Sequence, residues 1–205
     1  SLIGVGMILQ KKGDFPRYIK LYSVYLIEAI QYKTNVVGNY IKGLFSHPEH
    51  LSIDIKFLEF KKLEHKRNEA LKIGGLIVHE NDYVPALIQY KDRQYKVKLR
   101  LKGDLPDHLL GDKWSFRVKV SGNKTFMGMK KFSLQHPRTR AYIHEWLFHA
   151  LLHKEGVLSL KYEFITLQLN GKNLGVYAIE EHFDKRLLER QGMKEGPIIK
   201  YSEDM

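Results

Sequence analysis

Two segments near the middle of the chain alternate between apolar side chains and polar ones, which are all cationic except Ser115. Side chains on a β-strand point to opposite faces in turn, so this alternation predicts strands with one apolar and one charged face. The apolar set is Val97, Leu99 and Leu101 in the first segment and Trp114, Phe116, Val118 and Val120 in the second. The cationic set is Lys96, Lys98, Arg100 and Lys102 in the first and Lys113, Arg117 and Lys119 in the second. Like charges opposite one another destabilise a strand pair, so the cationic face is expected to bind an anion, with phosphate the first candidate.

A helix is predicted to follow these strands over residues 140–155, with Thr139 as its N-cap and Gly156 after its last turn. Its predicted core stripe recurs at helical spacing and consists of Ile143, Trp146, Leu147, Ala150 and Leu151. Glu145 lies on a second face, beside Phe148 and Leu152. A carboxylate among apolar side chains needs a cation or hydrogen-bond donors, which favours a pair between Glu145 and a lysine of the basic strands. The alternative is a solvated glutamate stabilised by the helix dipole.

The overall charge favours a polyanionic partner. Lys and Arg number 34 against 23 Asp and Glu, which gives a formal charge of +11, so nucleotides, nucleic acids and acidic membrane surfaces are all candidates. Sheets that read nucleic acid carry aromatic side chains among their cations for base stacking. Here Tyr95, Trp114 and Phe116 alternate with the cations and fall on the opposite face, which favours phosphates over bases.

Several common site types are excluded by the residues present. The chain has no cysteine, so thiolate metal sites, disulfides and cysteine nucleophiles are absent. His144 and His149 are five residues apart, which places them on different faces of a helix and excludes a zincin site. A Walker loop, a Gly-x-Ser-x-Gly elbow and a Gly-x-Gly-x-x-Gly loop are also absent.

The local patterns divide the chain into three parts. Residues 1–75 are predicted to form a helical arm that includes a short strand near Ile53–Phe57 and a helix ending at Gly74-Gly75. Residues 76–183 carry short strands, the helix and a hairpin at Asn170-Gly171. Residues 184–205 begin a further segment. The apolar run Ser1–Leu9, which precedes two lysines, is interpreted either as the end of a membrane anchor or signal segment or as a buried first strand.

Four segments together resemble the CotH family, which is named for a spore-coat protein and regarded as a group of atypical, protein-kinase-like enzymes. They are Leu99–Asp104, Lys113–Lys119, Met127–Leu134 and Leu169–Glu181. The resemblance implies an α+β fold like a protein-kinase N-lobe, a small antiparallel sheet with one main helix, preceded by the helical arm. It also implies that the chain is the ATP-binding portion of a kinase that uses ATP and Mg²⁺ to phosphorylate a protein acceptor.

The resemblance also implies a set of cofactor-binding residues. A kinase strand lysine contacts nucleotide phosphates and pairs with a helix glutamate, and Lys119 and Glu145 match this arrangement best, with Arg100 or Lys102 as alternatives to Lys119. Ile179–Phe183 would form the hinge beside the adenine. The full implied set is Arg100, Lys102, Arg117, Lys119, Glu145, Glu180 and Glu181.

Two features depart from ordinary protein kinases. Their glycine-rich loop is missing, so only residues 102–112, with Gly103 and Gly111, are a candidate for covering the phosphates. No acids match the catalytic base and magnesium ligand, which are expected beyond Met205 in a C-lobe, and no metal ligand is assigned. This chain is therefore expected to bind nucleotide without transferring phosphate. The alternative is a non-catalytic basic module that binds nucleic acid or an anionic membrane.

Overall fold

Seven strands close into a single β-barrel in the computed structural model, which describes residues 48–198. The strands are β1 (His50–Ile55), β2 (Val84–Tyr90), β3 (Arg93–Leu101), β4 (Phe116–Val120), β5 (Lys131–Gln135), β6 (Tyr162–Leu169) and β7 (Lys172–Glu181). Around the barrel they follow the order β1-β2-β3-β4-β5-β7-β6. Neighbours pair antiparallel, except that β6 returns to β1 in parallel and closes the barrel.

The predicted alternation in β3 and β4 is confirmed. Val97, Leu99 and Leu101 are buried inside the barrel, whereas Lys96 and Lys98 are exposed on its outer surface. The strand register sets Lys98 opposite Lys119 and Arg100 opposite Arg117 on this outer surface. Like charges therefore do stand directly opposite one another, as the sequence predicts.

Aromatic side chains fill much of the barrel core. Phe116, Phe126 and Phe132 are fully buried, and the Phe126 ring meets that of Tyr95 edge to face at 5.3 Å, a favoured aromatic geometry. Tyr177 is also fully buried. Its hydroxyl donates a hydrogen bond to the backbone carbonyl of Trp114 at 3.1 Å, and burial raises the pKa of this hydroxyl above its ordinary value.

The expected kinase-like N-lobe with a helical arm is wrong. The described residues form a closed barrel with only a few short helices: α1 (Phe57–Ile73), α2 (His144–Lys154) and α3 (Lys185–Arg190). β1 lies inside the range assigned to the arm, yet it pairs with both β2 and β6 and so belongs to the barrel. The expected arm over residues 1–47 and the apolar run Ser1–Leu9 lie outside the described residues. The domain boundaries at 75 and 183 remain predictions.

α1 and the β6–β7 hairpin are present as predicted. α1 ends at Gly74, whose left-handed backbone (φ +85°) lets its N–H bond to the Ala70 carbonyl. The predicted hairpin turn has both Asn170 and Gly171 in the left-handed region, at φ +47° and +80°, which is the geometry of a two-residue turn between antiparallel strands.

α2 differs from the prediction in both its start and its packing. It begins at His144 with Ile143 as its N-cap, so the predicted cap at Thr139 is wrong. A 3₁₀ turn (Pro137–Arg140) and the left-handed residues Ala141 and Tyr142 precede it. The predicted core stripe is also wrong: Ile143, Trp146, Leu147 and Leu151 are 44–58% exposed. The buried side chain of this helix is His149.

None of the helices in the described part of the chain is long and apolar enough to span a membrane.

Candidate functional site

Lys102 lies at the centre of a polar cluster on the outer surface of the barrel. It directly follows β3, and its Nζ donates to Oε2 of Glu180 at 2.7 Å and to Oε1 of Gln135 at 2.8 Å. The amide of Gln135 also donates to Glu180 Oε2 at 3.2 Å. The side chains of Lys102 and Glu180 are only 12% and 16% exposed, so this is a nearly buried ion pair.

Strand register assembles the cluster. Pairing of β3 with β4, β4 with β5, β5 with β7 and β7 with β6 places one row of side chains across the outer face of these five strands. In order around the barrel the row is Arg100, Arg117, Ser133, Glu180 and Tyr162. Residues paired across a sheet point to the same face. Lys102, directly after β3, and Gln135, the last residue of β5, lie beside this row and complete the cluster.

The cluster carries more cations than its carboxylates neutralise. Burial lowers the pKa of Lys102 below its ordinary value; Glu180 opposes this, and Arg117 and Arg140 lower it further. Burial likewise lowers the pKa of Arg117. Neither Arg117 nor Arg140 has a side-chain hydrogen bond or a carboxylate within 4.0 Å among residues 48–198. An anionic ligand would stabilise this arrangement.

Three buried polar atoms near Glu180 have no hydrogen-bond partner among the described residues. They are Ser133 Oγ, Tyr162 OH and His149 Nε2, and their side chains are at most 8% exposed. Burial raises the pKa of Tyr162 to about 12, so its hydroxyl stays protonated at neutral pH. Buried polar groups normally have a partner. His149 Nε2 faces Glu145 Oε1 at 3.7 Å, whereas Ser133 and Tyr162 stand on either side of Glu180 in the strand register.

His149 joins α2 to the start of β6. Its Nδ1 accepts a hydrogen bond from the Leu160 backbone N–H at 3.3 Å, and its ring stacks on that of Tyr162 at 6.1 Å. This bond leaves the proton of the neutral imidazole on Nε2, which lies 3.7 Å from Glu145 Oε1. The imidazole facing the Glu145 carboxylate is the main reason that the pKa of Glu145 lies below its ordinary value.

The β3–β4 loop is built tightly around His108. The imidazole Nδ1 lies 2.9 Å from the buried Ser115 hydroxyl, and the Ser115 backbone carbonyl accepts from the N–H of Lys102 at 2.9 Å. Gly103 has φ +114°, and a Cβ at that position would lie 2.4 Å from the His108 side chain. The loop therefore holds the backbone of Lys102 in place.

Two comparisons place the chain among known proteins. The family model described as "CotH kinase protein" matches residues 99–205. Inner spore coat protein H of Bacillus subtilis (strain 168) is 26% identical over 124 residues, which is 60% of this chain and 33% of that protein. The chain belongs to the CotH family. The predicted resemblance is confirmed, and the chain spans about a third of the length of the curated relative it matches.

The CotH match includes every residue of the Lys102 cluster but not β1, α1 or β2. Of the residues implied by the resemblance, Lys102, Arg117 and Glu180 come together, and Arg100 lies beside Arg117 on the same face. Glu181 lies apart, because its buried carboxylate accepts from Arg190 and from the Lys161 backbone N–H. Its role there is to tie β7 to α3.

The predicted Lys119–Glu145 pair is wrong. Lys119 Nζ lies 3.3 Å from Glu80 Oε2 and 4.0 Å from the centre of the Tyr83 ring. Glu145 faces His149, its neighbour one turn along the same helix. Lys102, the alternative to Lys119, forms a nearly buried pair with Glu180, which lies on a strand rather than on a helix.

Sequence reasoning missed Gln135, Ser133, Tyr162 and His149. One signal was present: Ser133 is an uncharged polar residue on the outer face of β5, where the paired positions of β4 and β3 carry Arg117 and Arg100. A break of this kind in a cationic face is typical of side chains that orient a neighbouring charge. Tyr162 and His149 gave no local signal, because only the packing of α2 on β6 brings them together.

Stability should fall as the pH drops through the range in which histidine titrates. Burial lowers the pKa of His108, His136 and His182 below the ordinary 6.5. At a pH just below 6.5 these histidines are therefore protonated in the unfolded chain but still neutral in the folded chain. The free energy of unfolding consequently decreases as the pH falls from 6.5 towards the pKa values of the folded state. Urea unfolding at about pH 7.5 and about pH 5.5 measures this. His108→Asn should reduce the difference, whereas equal midpoints for the unchanged protein would contradict the prediction.

Proposed function

We propose that the Lys102 cluster binds the phosphates of a nucleotide and that the chain is the ATP-binding portion of a CotH protein kinase acting on a protein acceptor. The observation that carries the proposal is the nearly buried Lys102, held by Glu180 and Gln135. Arg117 and Arg140 lie close to it without a carboxylate partner in the described part of the chain. Lysine and arginine are the residues with which proteins usually bind phosphate.

The residues present fit the phosphates of ATP. Lys102, Arg117 and Arg140 supply positive charge, and the unpaired hydroxyls of Ser133 and Tyr162 lie on the strands either side of Glu180. When bound, ATP supplies the phosphoryl group for transfer to an acceptor hydroxyl. Glu180 and Gln135 fix the Lys102 ammonium in position, which reduces the entropy lost when a phosphate binds.

The described residues do not form a binding site for Mg²⁺. Within 48–198 no group of three or more His, Asp or Glu side chains is arranged to hold a metal ion. Glu180 is already paired with Lys102, and Glu145 faces His149. No step of phosphoryl transfer is therefore assigned to a metal held by these residues.

Nucleotide affinity should fall when the central lysine is removed. Lys102→Met is expected to raise the Kd for ATP about thirtyfold, since losing a buried charge contact costs about 2 kcal/mol or more. Isothermal titration of the chain with ATP measures this. Lys98→Met is the matched control, because Lys98 lies on the same outer face of β3 but is exposed.

The same two variants test the alternative of a basic module. Lys98, Lys119 and Lys131 stand directly opposite one another across β3, β4 and β5, which favours binding of a polyanion such as nucleic acid or an anionic membrane. If Lys102→Met leaves ATP affinity unchanged while Lys98→Met weakens binding to phosphatidylserine vesicles or RNA, the nucleotide site is refuted and the alternative is supported.

A further inference from the structure

An apolar groove lies where the segment leading into α2 meets the outer face of β6 and β7. Its volume is about 330 Å³, and its apolar lining consists of Pro137, Tyr142, Ile143, Phe164 and Val176. Tyr142 and Ile143 are each 58% exposed, and Val176 is 41% exposed. Contiguous apolar surface of this kind is typical of an interaction site.

The backbone before α2 is shaped to present this surface. The 3₁₀ turn ends at Arg140, and Ala141 and Tyr142 then adopt left-handed conformations with φ +47° and +61°. Such conformations are unfavourable for residues other than glycine and are concentrated at functional positions.

Cations flank the groove on one side. Lys113 lines it, and its Nζ lies 3.5 Å from where a Cβ on Gly175 would stand, next to Val176. His136 also lines it, and its Nδ1 accepts a hydrogen bond at 3.0 Å from the backbone N–H of Arg138, an exposed residue. Neither Lys113 nor Arg138 has a carboxylate within 4.0 Å in the part of the chain that the structure describes. Among residues 48–198, no acidic side chain lines the groove.

We propose that this groove docks a protein segment in which apolar side chains are followed directly by aspartate or glutamate. The apolar side chains would cover Ile143, Phe164 and Val176, and the carboxylates would meet Lys113 and Arg138. Apolar burial supplies affinity, and the charges supply orientation and partner choice. This site is separate from the Lys102 cluster and does not depend on nucleotide binding.

Fluorescence polarisation with labelled synthetic peptides tests the proposal. One panel carries pairs of leucine or phenylalanine in several spacings, each followed by aspartates; the matched panel has lysines in place of the aspartates. Members of the aspartate panel are expected to bind at least about tenfold more tightly than their lysine counterparts. Val176→Asp should abolish this binding. Val157→Asp should not, because Val157 has a similar exposure of 49% and lies outside the groove lining.

Charge reversal provides a test that misfolding cannot imitate. Lys113→Glu should weaken binding of the aspartate peptides and strengthen binding of the lysine peptides. Lys98→Glu should change the binding of neither panel. Equal binding of the two panels, or equal effects of Val176→Asp and Val157→Asp, would overturn the proposal. Self-association of the chain that Val176→Asp abolishes would instead identify a second copy as the occupant and also overturn it.

Discussion

Lys102→Met and Glu180→Gln should each destabilise the barrel by about 3 kcal/mol, and the double variant should lose much less than the sum of the two. The pair is nearly buried, with Nζ 2.7 Å from Oε2. Removing one partner leaves the other as an uncompensated charge, which costs far more than losing a surface ion pair. Removing both leaves no unpaired charge, so the two losses are not additive.

Urea unfolding of the four proteins in this cycle measures the coupling. The ion pair between Lys172 and Asp112 is the matched control, because its atoms are a similar 2.9 Å apart while its side chains are 62% and 76% exposed. The control cycle with Lys172→Met and Asp112→Asn should show no measurable coupling, since solvent screens exposed pairs. Strictly additive losses at Lys102 and Glu180 would mean that the pair does not contribute as a buried contact.

Gly103→Ala should destabilise the protein by about 3 kcal/mol or more and should also weaken ATP binding. Gly103 adopts φ +114°, which residues with a side chain rarely adopt, and the added Cβ would lie 2.4 Å from His108. His108 is buried and bonded to Ser115, so it has little freedom to move away. Because Gly103 follows Lys102 directly, any shift of this backbone also displaces the lysine from Glu180.

Thermal and urea unfolding of Gly103→Ala and Gly111→Ala distinguish two causes of lost stability. One is the close contact with His108, and the other is the strain of a positive φ in a residue with a side chain. Gly111 also has a positive φ, +64°, but a Cβ there meets no atom within 4 Å, so Gly111→Ala should cost only about 1 kcal/mol. Adding His108→Gly to Gly103→Ala removes the close contact, which includes the His108 Cβ, and should restore part of the lost stability relative to His108→Gly alone. Equal costs for the two glycine variants would show that the His108 contact does not matter.

Patterns that depend on near neighbours were predicted correctly from the sequence. The alternation in β3 and β4 places their cations on the outer face, because successive strand side chains must point in opposite directions. α1 stops at Gly74 and the β6–β7 turn forms at Asn170-Gly171 because these residues tolerate the left-handed backbone. The four segments quoted for the CotH resemblance likewise led to the correct family.

The order of the strands in the barrel decides which lysine of the basic strands pairs with a buried carboxylate. β5 and β7 are neighbours in the barrel although α2 and β6 lie between them in the chain, and this neighbourhood brings Gln135 and Glu180 to Lys102. The helical position of Glu145 was consistent with a lysine partner, but α2 turns this carboxylate towards His149. Cross-strand pairing over long separations carries no local signal, so the sequence did not distinguish Lys102 from Lys119.

By itself, the sequence determined that β3 and β4 are strands with one cationic face, that the first helix ends at Gly74, and that the last hairpin turns at Asn170-Gly171. These outcomes follow from side-chain period and backbone preference, which act over a few residues. The strand predicted at Leu76–Val78 does not form. Only the tertiary structure decided that the sheet closes, through parallel pairing of β1 with β6, where His50 and Thr166 are 116 residues apart. It also decided that the apolar stripe of α2 stays exposed, because the spacing of apolar residues along a helix does not specify which surface, if any, will cover them.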